Sequence, residues 1–339
     1  MDRSDSTVVK GLAILLMLYW HLFYRMSDVG LCTVYLYISD HPLVNLFARC
    51  TNPVPFFLIL SGYGLYRSCE SGRNPDRVRK VCKLYINYWL TLAVFLPVCA
   101  YLYGFDRFPG SIGTFIGNVT AWNTTYNGEI WFLFPYILIF LLSGHLSRFV
   151  SRYDWKVVIV LTGTIYTIVR FGLLTKGSSL HDMRLYYIPL HSLDFLFPVS
   201  LGMLFAKYGC IEKAKRYFAG RHLLCLIGLL SLLMVRMTLG FGFFHCLYAA
   251  VFILFFASLP CSGFYRTIML SLGRHSTTMW FTHSYFCYHL IHDFIYSFQY
   301  PAIIFAVLLA VSFLTAVMID FMRDRLYNIS YFKKIALPA

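Results

Sequence analysis

The sequence predicts an all-α integral membrane protein, and three observations lead to that fold class. Apolar residues make up 59% of the 339 residues and charged residues only 13%, about half the share found in soluble domains. The mean hydropathy is +0.64. Ten stretches are apolar over roughly the 20 residues that a helix needs to cross a bilayer. The composition therefore predicts a polytopic bundle of about ten transmembrane helices.

The predicted spans follow one another along the chain with only short connections. Each is apolar on all of its faces rather than amphipathic. No small-residue cleavage pattern follows the first span, so we expect it to stay in the protein as a helix. No linker or soluble segment of domain size interrupts the series, which predicts a single domain over residues 1–339. The spans are 8–26, 43–66, 84–104, 130–147, 156–174, 187–206, 222–240, 243–259, 276–294 and 301–321.

Basic residues are distributed unevenly among the connections between these spans. Lys and Arg concentrate in the cytoplasmic segments of membrane proteins. With the N-terminus inside, 22 of the 29 basic residues fall in cytoplasmic segments, and only Arg107, Lys176 and Arg184 fall in exported ones. The sequence therefore predicts that both termini are cytoplasmic. The net charge of +14 follows mainly from this topology, and it indicates contact with membrane lipids rather than with nucleic acid.

The spacing of the cysteines is not that of a disulfide framework or a metal centre. The ten cysteines are scattered, and most lie within predicted spans, where a thiol packs as a small apolar group. We therefore predict no bound metal.

Two ionisable side chains in the first span are candidates for function. Lys10 and His21 are eleven residues apart, which in a helix places them on one face about 16 Å apart. A cation then lies near one membrane surface and an imidazole lies inside the bilayer, where ionisable groups are costly and mark functional sites. Three other buried charges, on Arg170, Asp194 and Arg236, are predicted to form ion pairs that orient helices.

Short motifs, in chain order, resemble those of the acyltransferase 3 family. LysGlyLeuAlaIleLeuLeuMetLeuTyrTrpHis at 10–21 resembles the first-helix signature, a basic residue followed by His. PheLeuIleLeuSerGly at 57–62 is similar to the second-helix motif, with Leu58 in place of its second Phe. LeuGlyArgHisSerThrThrMetTrpPheThrHis at 272–283 is similar to a late segment that ends in Trp and His. Further similar segments are AsnGlyGluIleTrpPheLeu at 127–133, GlyMetLeuPheAlaLys at 202–207 and the basic run at 77–83.

The resemblance implies an enzyme of the cytoplasmic (inner) membrane. It would move an acyl group, commonly acetyl from cytoplasmic acetyl-CoA, to a hydroxyl of a carbohydrate or lipid-linked glycan at the outer surface. The catalytic residues implied are His21 and, second, His283. An imidazole near neutral pH can act as a general base or as a nucleophile that carries the acyl group, and both roles stay open. Ser61, with Gly62 and Gly64, is interpreted as a close-packing point rather than a nucleophile.

Binding of the donor needs cations for the phosphates of coenzyme A. Lys10 lies at the cytoplasmic end of the first span, and the next cytoplasmic segment contributes Arg77, Arg79 and Lys80. A second predicted anion site is the start of the ninth span. There Ser276 is interpreted as an N-cap residue, with Arg274 beside the free N–H groups of the helix.

Two other functional classes fit a polytopic protein with buried charges. One is a secondary transporter or exporter of a small anionic or glycan-related solute, and the other is a non-enzymatic partner in glycan export. Against the transporter, the sequence has no internal symmetry and no matching pair of Gly- or Pro-broken helices. Acyl transfer by the purified protein, dependent on coenzyme A, would separate the enzyme from both.

Overall fold

A computed structural model describes residues 1–72, 76–180, 183–239 and 242–329. The structure is 81% helical, which confirms the all-α prediction. Within the described residues, strands form one short antiparallel hairpin of Tyr37–Ile38 (β1) and His41–Pro42 (β2), in which Tyr37 lies opposite Pro42.

Seven helical stretches are long and apolar enough to cross a membrane, among the residues that the structure describes. An eighth span is possible if Cys210–Phe218 and His222–Thr238, which are bent by 120° at their junction, are taken together. The chain is therefore a multi-pass membrane bundle. The count of ten spans and the orientation of the termini stay predictions.

The predicted spans at 222–240, 243–259 and 276–294 do not correspond to any of these seven stretches, and their length or polarity explains why. The helix His222–Thr238 has 17 residues and His245–Ser258 has 14, both shorter than the roughly 20 residues that cross a bilayer. Gly263–Ser284 is long enough at 22 residues, but its sequence is more polar. Much of that polarity is enclosed by protein, since Thr278, Thr282 and His283 are each at most 1% exposed.

The chain divides into two compact units. The first unit comprises Met1–Arg67 and Pro198–Phe313, and the second comprises Ser68–Phe197 and Leu314–Ala339. The helices that lie wholly or partly in the first unit are α1 (Arg3–Phe23), α2 (Met26–Val29), α3 (Leu43–Arg49), α4 (Val54–Glu70), α9 (Arg184–Tyr208), α10 (Cys210–Phe218), α11 (His222–Thr238), α12 (His245–Ser258), α13 (Gly263–Ser284), α14 (His292–Tyr296) and α15 (Pro301–Tyr327), together with a π-helix at Tyr285–Leu290.

The second unit is built from long helices, and a largely buried ion pair links two of them. Arg170 Nη1 lies 3.4 Å from Asp194 Oδ2, and the Asp194 side chain is 9% exposed, which confirms the ion pair predicted for these two residues. Arg236, in the first unit, instead donates a hydrogen bond to the carbonyl oxygen of Leu239 at 3.4 Å. The helices confined to the second unit are α5 (Arg77–Tyr103), α6 (Ile112–Val119), α7 (Leu133–Arg152) and α8 (Trp155–Leu180), with a 3₁₀ helix at Gly128–Phe132.

Glycines set the closest contact between α4 and α9 in the first unit. A Cβ on Gly62 would lie 2.0 Å from the carbonyl oxygen of Val199, and a Cβ on Gly202 would lie 1.9 Å from that of Ile59. Only glycine lets two helix backbones approach so closely. The close-packing interpretation is therefore confirmed for Gly62, whereas Gly64 has open space around its Cα.

The prediction that Ser276 caps a helix was wrong. Helix α13 begins at Gly263, so Ser276 lies in its interior, buried, and its hydroxyl donates to the carbonyl oxygen of Gly273 at 3.0 Å. The backbone N–H groups at this position are bonded within the helix, and the predicted anion site at Arg274 and Ser276 has no free helix terminus. The prediction placed the start of a helix just after Gly273, but Gly273 lies inside α13, where it packs against the backbone of Thr7.

Candidate active site

The candidate active site lies between α1 and α13 of the first unit, whose backbones meet at a pair of glycines. A Cβ on Gly11 would lie 2.2 Å from the carbonyl oxygen of Met269, and a Cβ on Gly273 would lie 1.9 Å from that of Thr7. Both distances are far below van der Waals contact, so no larger residue fits either position without moving backbone. The two glycines bring the helix axes to their closest approach.

The two helices run in the same direction from this crossing. His21 lies ten residues after Gly11, and His283 lies ten residues after Gly273, so each imidazole is about 15 Å along its helix from the contact. The imidazole centroids are 4.7 Å apart, with the ring planes tilted by 51°. An antiparallel pair would carry the same residues to opposite ends of the bundle. The parallel register therefore brings both predicted catalytic residues together.

His283 is fully buried, and its ring is fixed by the backbone of its own helix. Its Nδ1 lies 2.8 Å from the carbonyl oxygen of Trp280. A carbonyl oxygen can only accept, so Nδ1 carries the proton and donates it. The tautomer of the neutral ring is thereby set, and Nε2 holds the lone pair.

The phenol of Tyr288 holds His21 in a similar way. The Tyr288 hydroxyl donates to the carbonyl oxygen of His21 at 3.0 Å, and His21 Nδ1 lies 2.9 Å from the same hydroxyl oxygen. Since the hydroxyl proton points to the carbonyl, the oxygen accepts from Nδ1–H. This arrangement favours the tautomer of His21 that places its lone pair on Nε2.

A π-helix positions Tyr288 for this contact. Tyr285–Leu290 continues α13 with a wider turn, and single-turn π segments within helices often lie at functional sites. The guanidinium carbon of Arg25 lies 4.4 Å from the centroid of the Tyr288 ring, close enough for a cation–π contact. Tyr288 is thus held by Arg25 on the face of its ring and by His21 at its hydroxyl.

Side chains also bind the carbonyl groups that end α1, which an α-helix leaves without internal partners. The Tyr296 hydroxyl donates to the carbonyl oxygen of Leu22 at 2.7 Å. Asn45 Nδ2 donates to those of Phe23 and Tyr24 at 2.8 and 2.9 Å. Together with the bond from Tyr288 to His21, these contacts fix the end of α1 that carries the imidazole.

The opposite end of α1 is held by charged groups of the same unit. Asp5 pairs with Lys215 at 2.5 Å and with Arg266 at 3.3 Å. The terminal amino group of Met1 pairs with Glu212. Both ends of the helix are therefore anchored, and the intervening register is fixed.

Lys10 lies on the same face of α1 as His21, as the sequence predicted. Both residues belong to one continuous helix, so the eleven-residue spacing keeps its 16 Å rise and near-equal azimuth. Arg274 lies differently on α13. It is exposed, and nine residues separate it from His283, which places the two side chains about 180° apart around the helix.

The other predicted donor-binding residues lie at the start of α5 in the second unit. The Nε of Arg77 donates to the hydroxyl of Ser143 at 3.2 Å, and its guanidinium lies where a Cβ on Gly144 would be. Asp76 caps the helix by accepting from the backbone N–H of Arg79 at 2.9 Å, and its carboxylate also lies 3.4 Å from Arg79 Nε. Lys80 follows on the next position of the helix and is exposed.

Sequence reasoning missed the residues that position the histidines. Tyr288 is 267 residues from His21, and no local pattern links them. One signal was available, because the spacing from Gly11 to His21 is repeated from Gly273 to His283. Because the two helices run parallel and meet at these glycines, the equal spacing brings the two histidines to one level.

Comparison with known protein families identifies the family to which the chain belongs. The model of the acyltransferase 3 family, described as an acyltransferase domain, matches residues 4–320. The match covers nearly the whole chain and includes both histidines. No curated protein and no solved structure matches the chain significantly. The chain therefore belongs to the acyltransferase 3 family of membrane acyltransferases.

Proposed function

We propose that the protein transfers an acyl group from cytoplasmic acyl-CoA, and that the donor is acetyl-CoA. The acceptor is a hydroxyl of a carbohydrate or lipid-linked glycan at the outer face of the cytoplasmic membrane. His21 is the reacting group. The observation that carries this proposal is the arrangement of His21, which is bonded to Tyr288 through Nδ1 and lies beside His283. That arrangement places the lone pair of the neutral ring on Nε2, the nitrogen that reacts in this proposal.

Two chemical routes use this nitrogen. As a general base, Nε2 takes the proton of the acceptor hydroxyl while its oxygen attacks the thioester carbonyl. The C–S bond then breaks, and the coenzyme A thiolate leaves and is protonated. As a nucleophile, Nε2 attacks the thioester itself, releases the thiolate, and passes the acyl group to the hydroxyl in a second step. Tyr288 supports either route, because it orients the imidazole.

The parallel pair of helices supports the proposed topology. Because α1 and α13 run in one direction, an odd number of membrane crossings must separate them. The predicted ten-span arrangement meets this requirement if α13, which overlaps the predicted ninth span 276–294, crosses the membrane, since seven predicted spans lie between. With both termini cytoplasmic, Lys10 lies toward the donor side of His21. Arg77, Arg79 and Lys80 are proposed to add positive charge in a cytoplasmic segment, which attracts the donor phosphates.

A transfer assay with the purified protein tests the function. The protein is reconstituted in liposomes and supplied with acetyl-CoA, labelled in the acetyl group, and with a glycan and glycolipid extract of the host cell. We expect release of the coenzyme A thiol together with label in the extract, and mass spectrometry should find acetylated glycan. Label that enters the liposomes without release of the thiol would instead indicate a transporter. No release and no transfer would contradict the proposal.

Substitution of Lys10 tests the donor side. We expect Lys10→Ala to raise the KM for acetyl-CoA, because it removes a cation on the His21 face, whereas Lys10→Arg keeps the charge and should have a smaller effect. The loss of a charge-assisted contact with phosphate corresponds to roughly a tenfold change in affinity. Initial rates over a range of acetyl-CoA concentrations give the KM. An unchanged KM and kcat in Lys10→Ala would show that the lysine serves topology alone.

A further inference from the structure

A polar cleft opens beside the end of α1 that carries His21. It has a volume of about 500 Å³, and its lining includes Arg25, Asp28, Tyr288, His292, Asp293 and Phe294. All of these residues belong to the first unit. The proposed mechanism uses only Tyr288 among them, so the cleft needs an explanation of its own.

Asp28 provides the strongest sign of a ligand. It is 9% exposed, and its Oδ1 accepts a hydrogen bond from the Ser27 hydroxyl at 3.0 Å. Its Oδ2 is buried and has no hydrogen-bond partner. An ionised carboxylate can only accept hydrogen bonds, and buried polar atoms are nearly always satisfied. Oδ2 is closed off from solvent, but Asp28 lines the cleft, so a turn of its carboxylate toward a ligand that carries O–H groups would supply the missing donor.

The charges of the lining favour a hydroxylated ligand over a phosphate. One guanidinium, on Arg25, stands against two carboxylates, on Asp28 and Asp293, so the cleft has no positive excess when its histidines are neutral. A polyanion such as coenzyme A would meet net repulsion there. Tyr288 and Phe294 add apolar ring surface, which suits the C–H faces of a sugar. The lining therefore fits a neutral polyol better than the donor.

Tyr288 connects the cleft to the reacting nitrogen. Its ring lines the cleft, and its hydroxyl lies 2.9 Å from His21 Nδ1. A molecule bound in the cleft thus contacts the same side chain that orients the imidazole. The cleft also lies at the end of α1 remote from Lys10, so a ligand there and a donor at Lys10 would reach His21 from opposite directions.

We infer that this cleft binds the hydroxyl-bearing acceptor, and that Asp28 Oδ2 accepts a hydrogen bond from a hydroxyl of the acceptor that is not acylated. The inference rests on the proposed function for the identity of the second substrate. The ligand class is a sugar ring with free hydroxyls, either as a free glycan or as the headgroup of a glycolipid.

Binding measurements without acetyl-CoA test the cleft separately from the reaction. Wild-type protein, Asp28→Asn and the control Asp40→Asn are placed in nanodiscs and titrated with methyl glucoside and methyl galactoside, with saturation-transfer NMR as the readout. Asp40 is exposed in the turn between β1 and β2 and does not line the cleft. A parallel set of nanodiscs contains glycosyl diacylglycerol, in order to distinguish a lipid headgroup from a free sugar.

We expect Asp28→Asn to weaken binding of the sugar about tenfold, because its amide oxygen stays with Ser27 and its NH₂ group presents donors to the cleft. Asp40→Asn should bind as wild type, and both variants should keep their affinity for acetyl-CoA and their melting temperature. Binding by wild type to glycolipid nanodiscs alone would support the inference and identify the headgroup as the source. Equal binding by wild type and Asp28→Asn, or no binding of either probe by wild type, would overturn it. A loss of sugar binding in Asp28→Asn without any acyl transfer by wild type would leave the cleft assigned and contradict only the proposed function.

Discussion

We expect the substitution His21→Ala to abolish acyl transfer while the protein still inserts into the membrane and binds acetyl-CoA. In the proposed mechanism the imidazole takes the hydroxyl proton or carries the acyl group, and loss of either role removes at least about two orders of magnitude in rate. The substitution removes only the ring contact with Tyr288, because the bond from the Tyr288 hydroxyl to the carbonyl oxygen of His21 involves the backbone. The end of α1 also keeps its bonds from Tyr296 and Asn45. Release of the coenzyme A thiol gives the rate, and equilibrium binding of labelled acetyl-CoA gives the control.

Three further variants separate chemistry from position. His21→Asn keeps polarity and approximate size but lacks a basic nitrogen, so it should fail as fully as His21→Ala. Tyr288→Phe keeps the ring and removes the hydroxyl, which should lower kcat by a smaller factor and alter the dependence of the rate on pH. His283→Ala should also be less severe than His21→Ala, since its Nδ1 is bonded within its own helix. Near-normal transfer by well-folded His21→Ala protein would contradict the mechanism.

The part of the site that lies on one helix was predictable from the sequence. Lys10 and His21 share a face because a fixed rotation of about 100° per residue relates any two positions in a helix. The contact between His21 and His283 depends on how two helices cross, and Tyr288, which bonds to His21, lies in a π-helix at Tyr285–Leu290. Neither event follows from local propensity.

The error at Ser276 has a related cause. Glycine inside an apolar pattern indicates either a break or a close approach to another backbone, and the local sequence around Gly273 does not distinguish them. The partner that decides the matter is Thr7, in a helix at the other end of the chain. The start of α13 was missed for the same reason, because the predicted span began at residue 276, after Gly273, whereas the helix begins at Gly263.

We expect Gly11 and Gly273, at the contact of α1 and α13, to be needed for acyl transfer as well. At Gly11 and Gly273 a single added methyl carbon would lie 2.2 and 1.9 Å from backbone oxygen. Backbone cannot give way as a flexible side chain does, so the two helices must separate or tilt. A shift of about 1 Å at a reacting group costs roughly a hundredfold in rate, because the reacting atoms leave their productive distance.

We accordingly expect Gly11→Ala and Gly273→Ala to reduce acyl transfer by about that hundredfold factor, although neither residue touches a substrate. Overpacking should also lower the free energy of unfolding by about 1–3 kcal/mol, which a thermal melt in detergent would register. The matched control is Gly64→Ala in α4, since nothing lies within 4 Å of the Cβ it would add. That variant should keep wild-type transfer and melting temperature. If Gly273→Ala instead melted and turned over like wild type, the close crossing of α1 and α13 could not be what brings His21 and His283 together.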